Sequence, residues 1–144
     1  MTTGTLVLTP GAPYDVLPPS GCPLLDLSDL ECVDADWTAR SALAIQERCP
    51  ETPLLLVMAG PWAQHAPALG FAQRAARRAV HGYVLVDPRL PAPGQDWPDA
   101  PVVVIVTPEA DEDTRTAALG ARLRGWEVIE APAAHAIVEI AARP

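Results

Sequence analysis

Six short β-prone runs recur along the chain, separated by helix-forming stretches, and this alternation constrains the fold more than any other feature. The runs are Thr5–Thr9 (TLVLT), Pro23–Leu27 (PLLDL), Leu54–Met58 (LLLVM), Tyr83–Val86 (YVLV), Val102–Val106 (VVVIV) and Glu127–Glu130 (EVIE). Several are continuously apolar, as expected for strands covered on both faces. Helices are predicted for Trp37–Arg48, from Pro61 to about Val80, for Glu109–Arg124 and for Ala134–Arg143. Their boundaries carry ordinary signals. Asp34 or Asp36 is placed to cap the first helix, Cys49-Pro50 stops it, and Gly125 closes the third. Pro67 lies inside the second helix and is expected to kink it or delay its start. Strands alternating with helices imply a mostly parallel, roughly six-stranded, doubly wound sheet in a three-layer α/β arrangement. At 144 residues the chain is the size of one domain, and no internal boundary divides 1–144.

Composition narrows the function classes. A net charge of −8 opposes nucleic-acid binding, which needs a basic surface to displace phosphate counterions. Arg74, Arg77 and Arg78 form a basic cluster, read as the solvated side of a helix. All ten basic residues are Arg, so lysine Schiff-base chemistry and a P-loop lysine are excluded. Cys22, Cys32 and Cys49 lack a CxxC spacing, and His65, His81 and His135 are scattered. Free thiols in a reducing cytoplasm are therefore expected, and neither a metal site nor a cofactor. No apolar run approaches the ~20 residues of a spanning helix, and the N-terminus has no basic leader, so no membrane partner is expected. The Arg/Ala/Pro-rich, Lys-free and Asn-free composition fits a high-GC bacterial genome.

In a doubly wound sheet, ligands bind beyond the C-terminal ends of the strands where strand order reverses. If the chain starts mid-sheet, that places Gly11 and the segment Met58–Trp62 at the candidate site, with Asp87, Glu109–Asp113 and His135 along the same edge.

Four segments carry a family likeness. They are Pro53–Gln73 (PLLLVMAGPWAQHAPALGFAQ), Gly82–Pro98, Pro101–Glu112 (PVVVIVTPEADE) and Trp126–Ala141 (WEVIEAPAAHAIVEIA). Taken in order they resemble the nucleophile turn, the following strand, the acid-bearing strand and the histidine loop of α/β-hydrolases. The family's G-x-S-x-G elbow then falls on Met58, Ala59, Gly60, Pro61 and Trp62, with glycine where the nucleophilic serine belongs. Bulky Met58 and Trp62 are expected to crowd the turn. The resemblance implies His135 as the base and Asp111 as its acid, with Glu109 and Asp113 as rivals. It also implies Gly11 at the oxyanion-hole loop, though a plain turn glycine fits the same position. His65, Trp62 and Gln64 could face the pocket, and Trp97 and Tyr14 could cover its mouth. Trp37 and Trp126 suit the core.

The likeness further implies that two leading strands and the lid are missing, which leaves an open cleft and a strand edge that oligomerisation could protect. A chain of this kind is not an ordinary serine hydrolase. The expectation is a non-hydrolytic protein that binds a small apolar molecule or a protein partner, with a homodimer and bacterial secondary metabolism as its setting. The alternative is a serine-independent enzyme that uses His135 and Asp111 for proton transfer on a small molecule, as in isomerisation, cyclisation or cofactor-free oxygenation.

Overall fold

In the computed structural model, residues 2–92 and 96–144 are described. Pro93, Gly94 and Gln95, part of the expected Asp87–Pro101 loop, lie outside them. Six strands form: β1 (Thr5–Leu8), β2 (Leu24–Asp26), β3 (Leu54–Ala59), β4 (Val80–Val86), β5 (Val102–Val106) and β6 (Glu127–Glu130). They make one sheet in the order β2-β1-β3-β4-β5-β6, and every pairing is parallel. Four helices accompany them: α1 (Trp37–Arg48), α2 (Ala66–Ala75), α3 (Glu112–Leu123) and α4 (Ala133–Ala141). The α/β class and the parallel sheet are as the alternation of runs implies.

The inner strands β1, β3, β4 and β5 bury both faces, and the period of two sorts their side chains cleanly. Val7, Leu56, Met58, Leu85 and Val104 point to a core shared with Trp37 and Ile45 of α1, Leu69 of α2 and Ala118 of α3. Leu8, Leu55, Val57, Val84 and Ile105 point the other way, against Ile137 and Ile140 of α4 and against Ala12 and Val16 of the β1–β2 loop. Three helices therefore cover one face. One helix and a Pro-rich loop cover the other.

The second and third helices differ most from the sequence expectation. The second helix begins late and stops early. Its expected first turn is a 3-10 segment over Gly60–His65, and Pro67 sits in the first turn of α2, where its missing N–H costs nothing. The chain leaves α2 at Ala76, and Arg77 adopts a left-handed φ of 60°. Val80 and the following residues join β4, because pairing with β3 outweighs helix propensity there. In the third helix, Glu109 and Ala110 stay outside and Asp111 becomes the N-cap. Gly125, with φ 79°, follows that helix as expected.

β1 lies between β2 and β3. The chain passes from β1 to β2 on one side, then through α1 to β3 on the other. The reversal point is thus between β1 and β3, and the loops after these strands frame the carboxyl edge of the sheet. Among the described residues no helix is long and apolar enough to cross a membrane.

Candidate functional site

At the carboxyl edge, two clefts flank the end of β3. The larger, about 680 Å³, opens at the reversal point and is lined by Pro10, Gly11, Ser28–Val33, Asp36, Arg40 and Trp62. Its apolar wall is Trp62. That side chain is held by an unusual fit: a Cβ on Gly11 would stand 2.6 Å from the Trp62 ring, and Gly11 has φ +87°. Only glycine satisfies both conditions at once.

Behind Trp62 the aromatic packing continues. Trp37, fully buried, stacks on Trp62 with ring centroids 6.1 Å apart and on His65 at 5.5 Å. Its indole N–H donates to the Pro10 carbonyl at 3.0 Å and so anchors the loop after β1. Trp62 and His65 are three residues apart in a 3-10 segment, which places them on the same side of it, with centroids at 6.3 Å. His65 Nε2 lies 2.8 Å from Asp34 Oδ1, and the Gln64 amide donates to the same oxygen at 3.4 Å.

The opposite wall is polar. Asp36 accepts from the Val33 amide at 2.8 Å and pairs with Arg40 at 2.8 Å. The Val33 amide above all, with Arg40 assisting, holds the Asp36 carboxyl below its usual range. Burial pushes the neighbouring Cys32 thiol up, and the Asp36 charge adds to this.

The smaller cleft, about 480 Å³, is lined by Gly60, Pro61, Asp87–Leu90, Asp111, Asp113, Thr114 and Ala117. Asp87 ties the end of β4 to that of β5. Its carboxylate accepts from the Thr107 amide at 2.8 Å and from the Thr107 hydroxyl. The Arg89 amide donates to the Gly60 carbonyl at 3.0 Å. Asp111 faces this cleft but is already committed: its carboxylate accepts from the Thr114 amide at 2.8 Å and caps α3. That hydrogen bond holds its carboxyl below the usual range.

The residues singled out in sequence are thus dispersed. Gly11 and Trp62 meet in the larger cleft, with His65 behind them. Gly60 and Asp111 line the smaller one. His135 sits exposed in the first turn of α4 and lines neither cleft, and among the described residues no hydrogen bond joins it to Asp111. Met58 is fully buried in the core rather than at a surface. Trp97, expected over the pocket mouth, is 8% exposed. It packs edge-on against Tyr83 at 5.0 Å and Trp126 at 5.6 Å, because the loop folds back under α2. Tyr14 is exposed.

The expected crowding at Gly60 is also absent. A Cβ there would meet nothing within 4 Å, since Met58 points into the core and Trp62 leans across Gly11. The pairing of His65 with Asp34 had no signal in the spacing, because the two residues come from separate 3-10 segments and are 31 positions apart. The Trp62/His65 spacing of three was a signal, but only for a 3-10 turn.

Comparison with protein-family models, with curated proteins and with solved structures finds no match.

Proposed function

We propose that this chain is a non-hydrolytic α/β protein that binds a small molecule in the cleft at the ends of β1 and β3, with Trp62 as the apolar wall. The observation that carries this is the seating of the Trp62 ring on Gly11, at the sheet's reversal point, beside about 680 Å³ of open space. Reversal points are where doubly wound sheets hold ligands, and a fixed aromatic face gives a ligand contact at little entropic cost.

The α/β-hydrolase likeness draws support from one further feature. Gly60 has φ +58° at the turn from β3 into the next helical segment, the strained geometry in which an elbow presents its nucleophile. The residue in that position has no side chain, which is the reason for a non-hydrolytic reading. Proton transfer by His135 and Asp111 draws no support, since Asp111 caps α3 and His135 lines neither cleft.

Amide-resolved NMR with a panel of small aromatic and aliphatic molecules tests the proposal. Signals of Gly11, Ser28–Val33 and Trp62 should move together on addition of the aromatic members. Movement confined to Gly60, Asp111 and His135 would refute this placement of the site.

A further inference from the structure

The polar wall of the larger cleft is one-sided in what it still offers a ligand. The carboxylates of Asp29, Glu31 and Asp36 line it, against the single guanidinium of Arg40. Arg40 is committed within the wall: it pairs with Asp36 at 2.8 Å and donates to the Glu31 carbonyl at 3.4 Å. Other donors of the lining are engaged as well. The Ser28 amide and hydroxyl both donate to Asp26, the Val33 amide to Asp36, and the Gly11 amide to the Ser28 carbonyl. Asp29 and Glu31 are different. Both are exposed, and among the described residues neither carboxylate takes part in a hydrogen bond or ion pair. Ionised carboxylates only accept hydrogen bonds, so the free groups of this wall are negatively charged acceptors.

The apolar wall favours the same sign of charge. The Trp62 ring is stacked on Trp37 at 6.1 Å and within 11° of parallel, and an indole face attracts cations through its quadrupole. Resting on the binding reading above, we infer that the ligand of this cleft is a small organic cation, an ammonium carried on an aromatic body. The body lies against Trp62, and the ammonium donates to Asp29 and Glu31. A space of about 680 Å³ admits a molecule of that size. A neutral aromatic keeps the Trp62 contact alone. An anion meets two like charges, and the donors it needs are already bonded within the wall. Because Asp29 and Glu31 are exposed, water screens them and the discrimination is modest.

The test compares three molecules built on one ring system at about pH 7, where the charge of each is fixed: tryptamine (cation), indole (neutral) and indole-3-propionate (anion). In calorimetric titrations the wild type should bind tryptamine about three- to tenfold more tightly than indole, and indole-3-propionate more weakly than indole. The preference for tryptamine should shrink as sodium chloride rises from about 0.05 M to about 0.5 M. Asp29→Asn/Glu31→Gln, which keeps the size of both side chains, should bring the tryptamine-to-indole ratio most of the way to one. Glu47→Gln/Glu51→Gln removes the same charge from exposed positions outside the cleft and should keep the wild-type ratio. Equal binding of tryptamine and indole, tighter binding of the anion, or a preference that survives in Asp29→Asn/Glu31→Gln overturns the inference and leaves the cleft reading standing. A preference lost equally in Glu47→Gln/Glu51→Gln overturns it too, since net charge would then be its source. If none of the three molecules binds, the binding reading fails along with the inference.

Discussion

Gly11 and Gly60 occupy comparable positions, each after a strand and each at positive φ, but their surroundings differ. Gly11→Ala forces a methyl group to 2.6 Å from the Trp62 ring at φ +87°. It should destabilise the fold by about 1–3 kcal/mol in chemical denaturation and displace Trp62 from the cleft wall. Gly60→Ser meets open space and carries only the backbone cost of a non-glycine residue at φ +58°, about 1–2 kcal/mol, so the variant should fold. Because no histidine lines the cleft around Gly60, neither wild type nor Gly60→Ser should be labelled by a serine-directed fluorophosphonate. Labelling of the wild type contradicts the non-hydrolytic reading. Asp111→Ala should lower the melting temperature by uncapping α3, whereas Asp111→Ser, which keeps a capping oxygen, should largely restore it. Neither change should alter ligand binding. At this scale the sequence exposed Gly11, Gly60 and Trp62 as special. It could not reveal that Trp97 is buried, because burial of a large apolar residue in a loop depends on which side of the sheet the loop crosses, whereas Met58 lies within β3, in an apolar run whose burial was legible.

Among the elements, the strands were the most legible part, since runs such as Val102–Val106 have no amphipathic alternative. The α2–β4 junction was the least legible. Helix formers continue past Ala75, and the stop is imposed by tertiary pairing of Leu54 with Val80 rather than by a local signal. The same helix takes part in a polar network. Tyr83 of β4 donates from its hydroxyl to Asp99 at 2.8 Å, and Arg74 of α2 pairs with Asp99 at 3.0 Å. Burial works against the Asp99 charge, but the Tyr83 and Arg74 hydrogen bonds outweigh it and hold the carboxyl below its usual range. Burial first, and the Asp99 hydrogen bond second, push the Tyr83 phenol well above its ordinary value. A depressed carboxyl stabilises the fold above the unfolded value of about 3.9 and loses that contribution as pH falls through the folded value. Asp99→Asn should therefore cost about 1 kcal/mol near neutral pH. The gap from wild type should close as urea unfolding is followed downward from about pH 4. A gap that persists undiminished in acid would show that packing, not charge, ties the loop to α2.

For the molecule as a whole, the strand order matters more than any single motif. A reversal between β1 and β3 gathers the 28–33 loop, Gly11 and Trp62 from three separate stretches of chain into one cleft. Alternation of strands and helices made the parallel sheet legible, and a reversal at β1 and β3 followed once the chain was taken to start mid-sheet. What the sequence could not resolve was which of two clefts beside the β3 end matters. The family likeness drew attention to Gly60, while the space and the fixed aromatic wall lie on the other side, against Gly11. The central claim is therefore a claim about Trp62. Calorimetric titration of indole into wild type, Trp62→Ala and His135→Ala, each confirmed as folded by its melting curve, tests it most directly. Saturable binding by the wild type, weakened about tenfold in Trp62→Ala and unchanged in His135→Ala, is the expected result, since an aromatic contact contributes about 0.5–1.5 kcal/mol beyond buried area. Equal binding by wild type and Trp62→Ala, or its loss in His135→Ala alone, would contradict the account.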